Sequence, residues 1–460
     1  MPPESPAAGT VEVNGAGARC LRAPASRSPA GEAPARMNIR RSAAALAASA
    51  VLCAGAAPAA FATPSAPFAP SPAASTPPVI PSGLYGKNDP AYDGVWRQSV
   101  ALLAQHTVGV KPAKEAVAWL AGQQCANGGF ASFRADASAP CDATTMYDTN
   151  ATAMAVQALK TLGGQDAAVK KSVDWLKSVQ NEDGGWAFVP GSPSDANSTA
   201  VVISALTVAG EKPAEVKSKA GKSAYEGLLA FQLGCTAQPP SDGGAFAYQP
   251  ADGKLLPNAD ATAAATLAAL GKGAVVAPAA KDTPAGPAGC TSAAGPEAAA
   301  QAAAGHLAES LKKGGDHLMA VTPGSDQPTP DTGNTVDAVI ALAAAGHKQS
   351  AAGALEWLKG NSAQWAKGSP AALGTLVLAA HATGTDPKAF GGTDLVSALN
   401  ATGPAPQAPG TPEPSGTEND KDDEKTGSDD QNIWWMIGAG AAAGAGIGIL
   451  LSGRRKKNQL

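Results

Sequence analysis

A two-part phrase recurs through the middle of this chain, and its period constrains the fold more than any other feature. One copy runs from Trp119-Leu120 and Gln124 through Gly128-Gly129-Phe130 to Asp148-Thr149-Asn150-Ala151-Thr152. The next runs from Trp175-Leu176 and Gln180 through Gly184-Gly185-Trp186 to Asp195-Ala196-Asn197-Ser198-Thr199. Trp119, Gln124 and Gly128 all recur 56 residues later. A period of that size belongs to stacked helical hairpins, each of which buries its apolar face only against its neighbours. Later copies are degraded. Gln232 is followed by Gly243-Gly244 and Phe246, then by Asn258, Asp260 and Thr262; Asp331, Asn334 and Thr335 open another helix, and Trp357-Leu358 returns in the hairpin after it.

Hydrophobic spacing supports helices throughout this region. Thr152, Ala155, Val156 and Leu159 follow the i, i+3, i+4, i+7 pattern, as do Thr199, Val202, Ile203 and Leu206, and no comparable run alternates with period two. Lys170, Lys171 and Asp174 mark the helix around Trp175 as an outward one. The alanine-rich helices, which pack closely, suit an inner ring. With Val95 to His106 as a leading helix, the count is eleven or twelve helices in five to six hairpins, and Gly271 to Gly295 reads as loop. Within the phrase, the diglycine permits the positive φ that ends a helix in a tight turn. The aromatic then packs beside a Gln amide able to hydrogen-bond an exposed helix end.

These copies resemble the prenyltransferase and squalene oxidase (terpenoid cyclase) repeat, over roughly Asp93 to Ser397, with Gln124 to Phe130 and Gln180 to Trp186 its most specific part. The resemblance implies an all-α domain, an α/α toroid, here expected over 87–400. It does not choose a chemistry, because one fold hosts many functions. A triterpene cyclase would need an Asp-x-Asp-Asp acid and an aromatic cavity that holds cations. Asp420-Lys421-Asp422-Asp423 matches that string but lies in a charged tail, where no enclosed substrate or raised pKa is expected, and the alanine helices carry almost no aromatics. A protein prenyltransferase would need zinc on Asp, Cys and His. His106, His306, His317, His347 and His381 show no paired ligand spacing, and no Asp-Asp-x-x-Asp diphosphate site is present. No metal or cofactor is expected.

One constellation remains for binding: Asp148, Asn150, Asp195, Asn197, Asn258, Asp260, Asp331 and Asn334, all at the starts of helices assigned to the inner ring. If those helices start at the same rim, their polar side chains converge on one mouth. The competing reading is plain N-capping. Asn150-Ala151-Thr152 and Asn197-Ser198-Thr199 also match a glycosylation sequon, a weak reading at helix starts.

The two ends of the chain suggest export. Met37 to Arg41, the apolar run from Ala44 to Ala57, and Ala60-Phe61-Ala62 before Thr63 form the three regions of a secretory signal over 37–62, cleaved between Ala62 and Thr63. Residues 1–36 then read as an upstream segment outside the true start. Leu52 before Cys53 argues against lipidation. Residues 63–86 form a Pro/Ala/Ser linker and 401–432 a Pro-rich and acidic one. Residues 433–452 form an uncharged apolar stretch of the length a membrane-crossing helix needs, and Arg454-Arg455-Lys456-Lys457 opens a basic tail over 453–460 that places the chain end in the cytoplasm. Lys425-Thr426-Gly427 keeps only the end of a sortase motif, which favours retention in the membrane.

Four cysteines remain after the signal, and local pairing predicts disulfides Cys125–Cys141 and Cys235–Cys290. A net charge of -4 with charged residues at 16% offers no basic stripe for nucleic acid. The expectation is a secreted protein with a single membrane span, whose toroid is non-catalytic and binds a hydrophobic small molecule, a corrinoid or a glycan. The alternatives are a divergent terpene cyclase or prenyltransferase acting on an isoprenoid, and a purely structural spacer.

Overall fold

The computed structural model describes residues 79–408, apart from 235, 281, 288–294 and 322–326. The segment 1–36, the signal at 37–62, most of both linkers, the Asp420 string, the apolar stretch 433–452 and the basic tail lie outside the described residues, as do Cys235 and Cys290. Among the described residues no helix is long and apolar enough to cross a membrane.

Thirteen α-helices occur among the described residues: α1 (Gly94–Thr107), α2 (Lys114–Gly122), α3 (Thr149–Leu162), α4 (Asp166–Ser178), α5 (Ala196–Val208), α6 (Ala224–Leu229), α7 (Ala259–Ala269), α8 (Pro296–Lys313), α9 (Thr332–Ala344), α10 (Ala352–Asn361), α11 (Ala363–Ala366), α12 (Pro370–Thr383) and α13 (Leu395–Asn400). Helix α1 packs on α3, α3 on α5, α5 on α7, α7 on α9, α9 on α12, and α12 returns to α1, so six helices close into a ring. Outside them α2, α4, α6, α8, α10 and α13 each pack on the inner helix that precedes them. The fold is an α/α toroid of six hairpins.

Side-chain size explains the layering. The inner helices are mostly Ala, Thr, Val and Leu, and small side chains let neighbouring axes approach. On α4, Val169, Ser172, Val173 and Leu176 are buried while Lys170, Lys171 and Asp174 face solvent, as an outward helix requires. Burying Leu176 completely contributes about 1.5–3 kcal/mol. Alanine content alone does not assign the layer. Helix α8 is alanine-rich yet lies outside, with Ala299, Ala300, Ala303 and Ala304 packed inward.

The repeated phrase is the joint between hairpins. Gly128, Gly184 and Gly244 take φ of 99°, 90° and 90°. A Cβ on Gly128 would strike the carbonyl oxygen of Lys171, one on Gly184 that of Ser223, and one on Gly244 that of Ala302. Glycine is therefore required twice over, by backbone conformation and by contact with the next outer segment. By this geometry the third copy is Gly244-Ala245-Phe246, one residue later than the Gly243-Gly244 pairing in the sequence. The aromatic residue after the turn donates its N–H to a threonine hydroxyl of the following inner helix: Phe130 to Thr152 at 2.9 Å, Trp186 to Thr199 at 2.9 Å and Phe246 to Thr262 at 3.0 Å. The glutamine amide bonds the next outer helix or the turn itself. Gln124 Nε2 donates to Ala168 O and Ser172 Oγ at 2.7 Å each, and Gln232 Nε2 to Gly244 O and Ala299 O.

Closure is stitched by the chain ends. Tyr85, read as linker, is fully buried, and its N–H donates to Gln98 Oε1 and its hydroxyl to Gln105 Oε1. The segment after α13 returns to the same place: Gly86 N–H donates to Thr402 O and Gln407 Nε2 to Pro112 O. The packed domain therefore reaches a few residues into both expected linkers. One short antiparallel hairpin, β1 (Leu318–Val321) and β2 (Pro328–Asp331), departs from an all-α reading. With four residues per strand, and prolines at 328 and 330, it left no alternation to detect. It does the work of the missing phrase, since Leu318 N–H donates to Thr335 Oγ1 at 2.9 Å. Cys125 and Cys141 are joined in the loop between α2 and α3, their Cα atoms 5.7 Å apart.

Candidate ligand cavity

The six inner helices enclose a central cavity of about 390 Å³. Their N-terminal ends form its mouth. Asp148, Asp195, Asn258 and Asp331 each cap their helix, the side chain accepting from the backbone N–H three residues on at 2.7–3.0 Å. Capping satisfies one of the orphan donors of a helix start and is worth about 1 kcal/mol each. Of the eight residues singled out in the sequence, Asp148, Asn150, Asn197 and Asp260 line the cavity. Asp195, Asn258, Asp331 and Asn334 do not; Asn334 donates its amide to Asp331 Oδ2 at 2.6 Å.

The lining stripe is offset from the apolar stripe that the sequence displays. On α5, Thr199, Val202, Ile203 and Leu206 are buried in the wall, whereas Asn197, Ala200, Val201 and Ser204 face the cavity. Helix α3 repeats the arrangement with Asn150, Met154 and Gln157, and α7 with Asp260, Ala263, Ala264 and Leu267. Each of these helices thus presents a polar group at its start and Met154, Val201 or Leu267 further in, with Gln157 and Ser204 as the polar groups lower down. The cavity is closed on its far side by the chain after α7, where Ala274 N–H donates to Gln157 Oε1 at 2.9 Å. The start of the stretch read as plain loop therefore covers the far side of the cavity at Ala274.

Asp337 was not singled out from sequence. It lies on the cavity-facing side of α9, three residues before the lining residue Ile340. Its pKa is pushed up to about 7 by burial and by the neighbouring charges of Asp260 and Asp331. Its signal in the sequence was a lone carboxylate in an otherwise apolar inner helix. Burial also raises the carboxyl groups of Asp148, Asp195 and Asp260, the last against a hydrogen bond donated by Asn197 Nδ2. Asn150 Oδ1 and Asn197 Oδ1 are buried without a hydrogen-bond partner. No lysine, arginine or histidine is among the lining residues.

The aromatics expected to be absent come from outside the alanine helices: Trp96 from α1, Tyr92 from the turn before it, and Phe188 from the loop before α5. They belong to a collar. Tyr92, Met146, Phe188, Tyr248, Met319 and Trp365 are exposed large apolar residues, and each lies in the connection leading into a different inner helix. Exposed apolar residues concentrated in this way mark an interaction or ligand-entry face. Among the described residues no group of three His, Cys, Asp or Glu side chains is placed to hold a metal ion.

Residues 96–244 match the prenyltransferase alpha-alpha toroid domain, from within α1 to the third joint. Among solved structures, ent-copalyl diphosphate synthase from Streptomyces platensis is 17% identical with a TM-score of 0.41, over 63% of this chain and 50% of that one. This chain thus spans about half the length of that enzyme. A protein from Actinoplanes is 15% identical with a TM-score of 0.43, over 67% of this chain and 96% of that one. No curated protein matches. The repeats and the closed ring make the described domain an α/α toroid, and its first three joints lie in the part that matches the prenyltransferase alpha-alpha toroid domain.

Proposed function

We propose that the ring is a binding module whose central cavity takes a small amphiphilic molecule. The observation that carries this reading is the grading of one enclosed space of about 390 Å³ from an apolar wall to a polar mouth. A volume in that range suits a small organic ligand. The wall of Val100, Met154, Val201, Leu267, Ile340 and Leu378 would take its apolar body, and Asn150, Asn197, Asp260 and Asp337 its head. A corrinoid is too large to enter such a space, and a glycan would leave its hydroxyls unpaired against that wall.

The segments at 37–62 and 433–452 support display of this domain on the outer face of a membrane, as does the disulfide Cys125–Cys141, a bond typical of oxidising compartments. Titration of the purified chain with single-chain amphiphiles, followed by calorimetry and thermal unfolding, tests the binding reading. A ligand is expected to raise the unfolding temperature of the native chain and to have no effect on Ala264→Trp, whose indole would fill the cavity. Binding that survives Ala264→Trp would overturn the reading, as would the absence of any stabilising amphiphile.

A second reading rests on Asp337, an enclosed carboxyl group that keeps its proton close to neutral pH. Such a group could protonate an alkene, the opening step of a cyclisation. Turnover of squalene or another uncharged isoprenoid by the native chain and its loss in Asp337→Asn would favour an enzyme. The lining has no basic residue to hold a diphosphate, which weighs against isoprenoid diphosphates as substrates.

A further inference from the structure

We propose that the head of the ligand is a cation, and that the cavity is a receptor for an alkylammonium compound. This rests on the reading of the cavity as a ligand site and narrows the chemistry of its occupant.

Charge supplies the first argument. Asp93, Asp148, Asp260 and Asp337 line the cavity with no basic side chain among the lining residues. Asp93 has its own counter-ion, Arg97 at 3.1 Å. Asp148 instead accepts from Ser132 Oγ and Ala151 N–H, and Asp260 from the Asn197 amide, so their bonds are satisfied by neutral donors that leave the negative charge in place. Enclosed like charges repel one another in a space that water screens poorly. The raised pKa of Asp337 expresses that repulsion together with burial. A cation entering among these groups would offset that repulsion, because opposite charges attract strongly in the same poorly screened space.

Hydrogen-bond polarity supplies the second. Asn197 spends its amide N–H on Asp260, and Asn197 Oδ1 and Asn150 Oδ1 are buried away from the cavity, so the charged acceptors an entering head meets are carboxylate oxygens. A primary ammonium has three donors and no acceptor, the inverse of a site whose charged groups are all carboxylates. A hydroxyl head would bring lone pairs as well, and a carboxylate or phosphate would bring only more acceptors.

The aromatic residues supply the third. Tyr92, Trp96 and Phe188 stand among the lining residues, and the faces of aromatic rings attract organic cations. No group of three metal-ligating side chains converges among the described residues, so the geometry favours an organic cation over a bound metal ion. The apolar wall below the mouth adds the requirement for an alkyl body.

Three probes of equal chain length separate these possibilities: octylamine, 1-octanol and sodium octanoate, titrated calorimetrically into the purified full chain at pH 8. At that pH the amine is protonated and Asp337 is mostly ionised. The ammonium is expected to bind at least about tenfold more tightly than the alcohol, in line with one charge-assisted contact, and octanoate more weakly than either. In the double variant Asp260→Asn and Asp337→Asn, which removes two of the charges with little change of shape, the preference for the amine over octanol should shrink several-fold while octanol affinity holds. If 1-octanol binds the native chain as tightly as octylamine, or octanoate binds best, the cation proposal is overturned and the amphiphile reading stands. If none of the three binds, both are overturned. Circular dichroism and thermal unfolding of the double variant check that the ring remains folded.

Discussion

Helix α5 shows two faces that share a backbone and differ in almost everything else. On the outward face Thr199 accepts the N–H of Trp186 at 2.9 Å, and Val202, Ile203 and Leu206 are buried in the packed wall. On the inward face, one turn of the same residues apart, Asn197 keeps an unpartnered Oδ1 and Ala200, Val201 and Ser204 border empty space. The contrast separates what holds the ring from what the ring is for. Satisfied polar groups and close packing stabilise the joint, whereas crowded carboxylates at the mouth cost stability, which the proposed cationic ligand would offset.

Substitutions should therefore act in opposite directions on the two faces. The largest effect is expected at the joints. Gly184→Ala combines a disfavoured φ of 90° with a collision against the Ser223 carbonyl, and should cost about 3–5 kcal/mol in denaturant unfolding. Gly191 has a similar φ of 86° but open space around it, so Gly191→Ala should cost only about 1 kcal/mol. Equal losses at the two positions would mean that the joint is held by backbone conformation alone.

Next comes the inward face. Asp337 in the folded ring holds its proton up to about pH 7, while the unfolded chain releases it near the ordinary carboxylate value of about 3.9. Across that window the folded state binds more protons, so the contribution of this residue to stability falls as pH rises and levels off above about 7. Asp337→Asn should remove that slope. The variant should match the native chain near pH 4 and exceed it at pH 8 by up to about 4 kcal/mol in thermal or denaturant unfolding. A native chain whose stability is unchanged relative to the variant between pH 4 and 8 would show that Asp337 is solvated.

The smallest of the three is at Thr199. Replacing its hydroxyl in Thr199→Val leaves the Trp186 N–H buried without an acceptor and should cost about 1–3 kcal/mol, with amphiphile binding unchanged. A loss of binding at constant stability would blur the division between the two faces.

Much of this was legible in the residues. The 56-residue period, the Gln and diglycine phrase and the capping Asp and Asn announce the hairpins, because each does a local job: it ends a helix, starts one or tethers a neighbour. The pairing Cys125–Cys141 follows for the same reason, since both cysteines occupy one loop. Four of the mouth residues were visible through the same repeats. Asp337, Tyr92 and Trp96 were not, for they occupy no repeated position; Phe188 does repeat, two residues after its joint aromatic as Tyr248 is, but the first copy holds Ser132 there and hides the pattern. Asp148, Asp195, Asn258 and Asp331 cap their helices, the side chain turning back onto its own helix, and Asp148 lines the cavity as well. The register slip at Gly243-Gly244 has a similar origin. Two adjacent glycines look alike in a string, and only contact with Ala302 shows which of them is the joint.

The sequence alone determined that this chain forms helical hairpins of one repeating kind, with their joints and their capped starts, because those features depend on residues close together along the backbone. Only the tertiary structure decided which side of each inner helix faces the cavity, that α12 closes on α1, and that the start of the stretch after α7 covers the far side of the cavity. Inner helices apolar around most of their circumference can be turned without changing their own pattern, so the choice falls to the surrounding helices. Those same neighbours bury Asp337 and bring Asp260 beside it, a setting that exists only in the closed ring, whereas Asp331 caps the same helix.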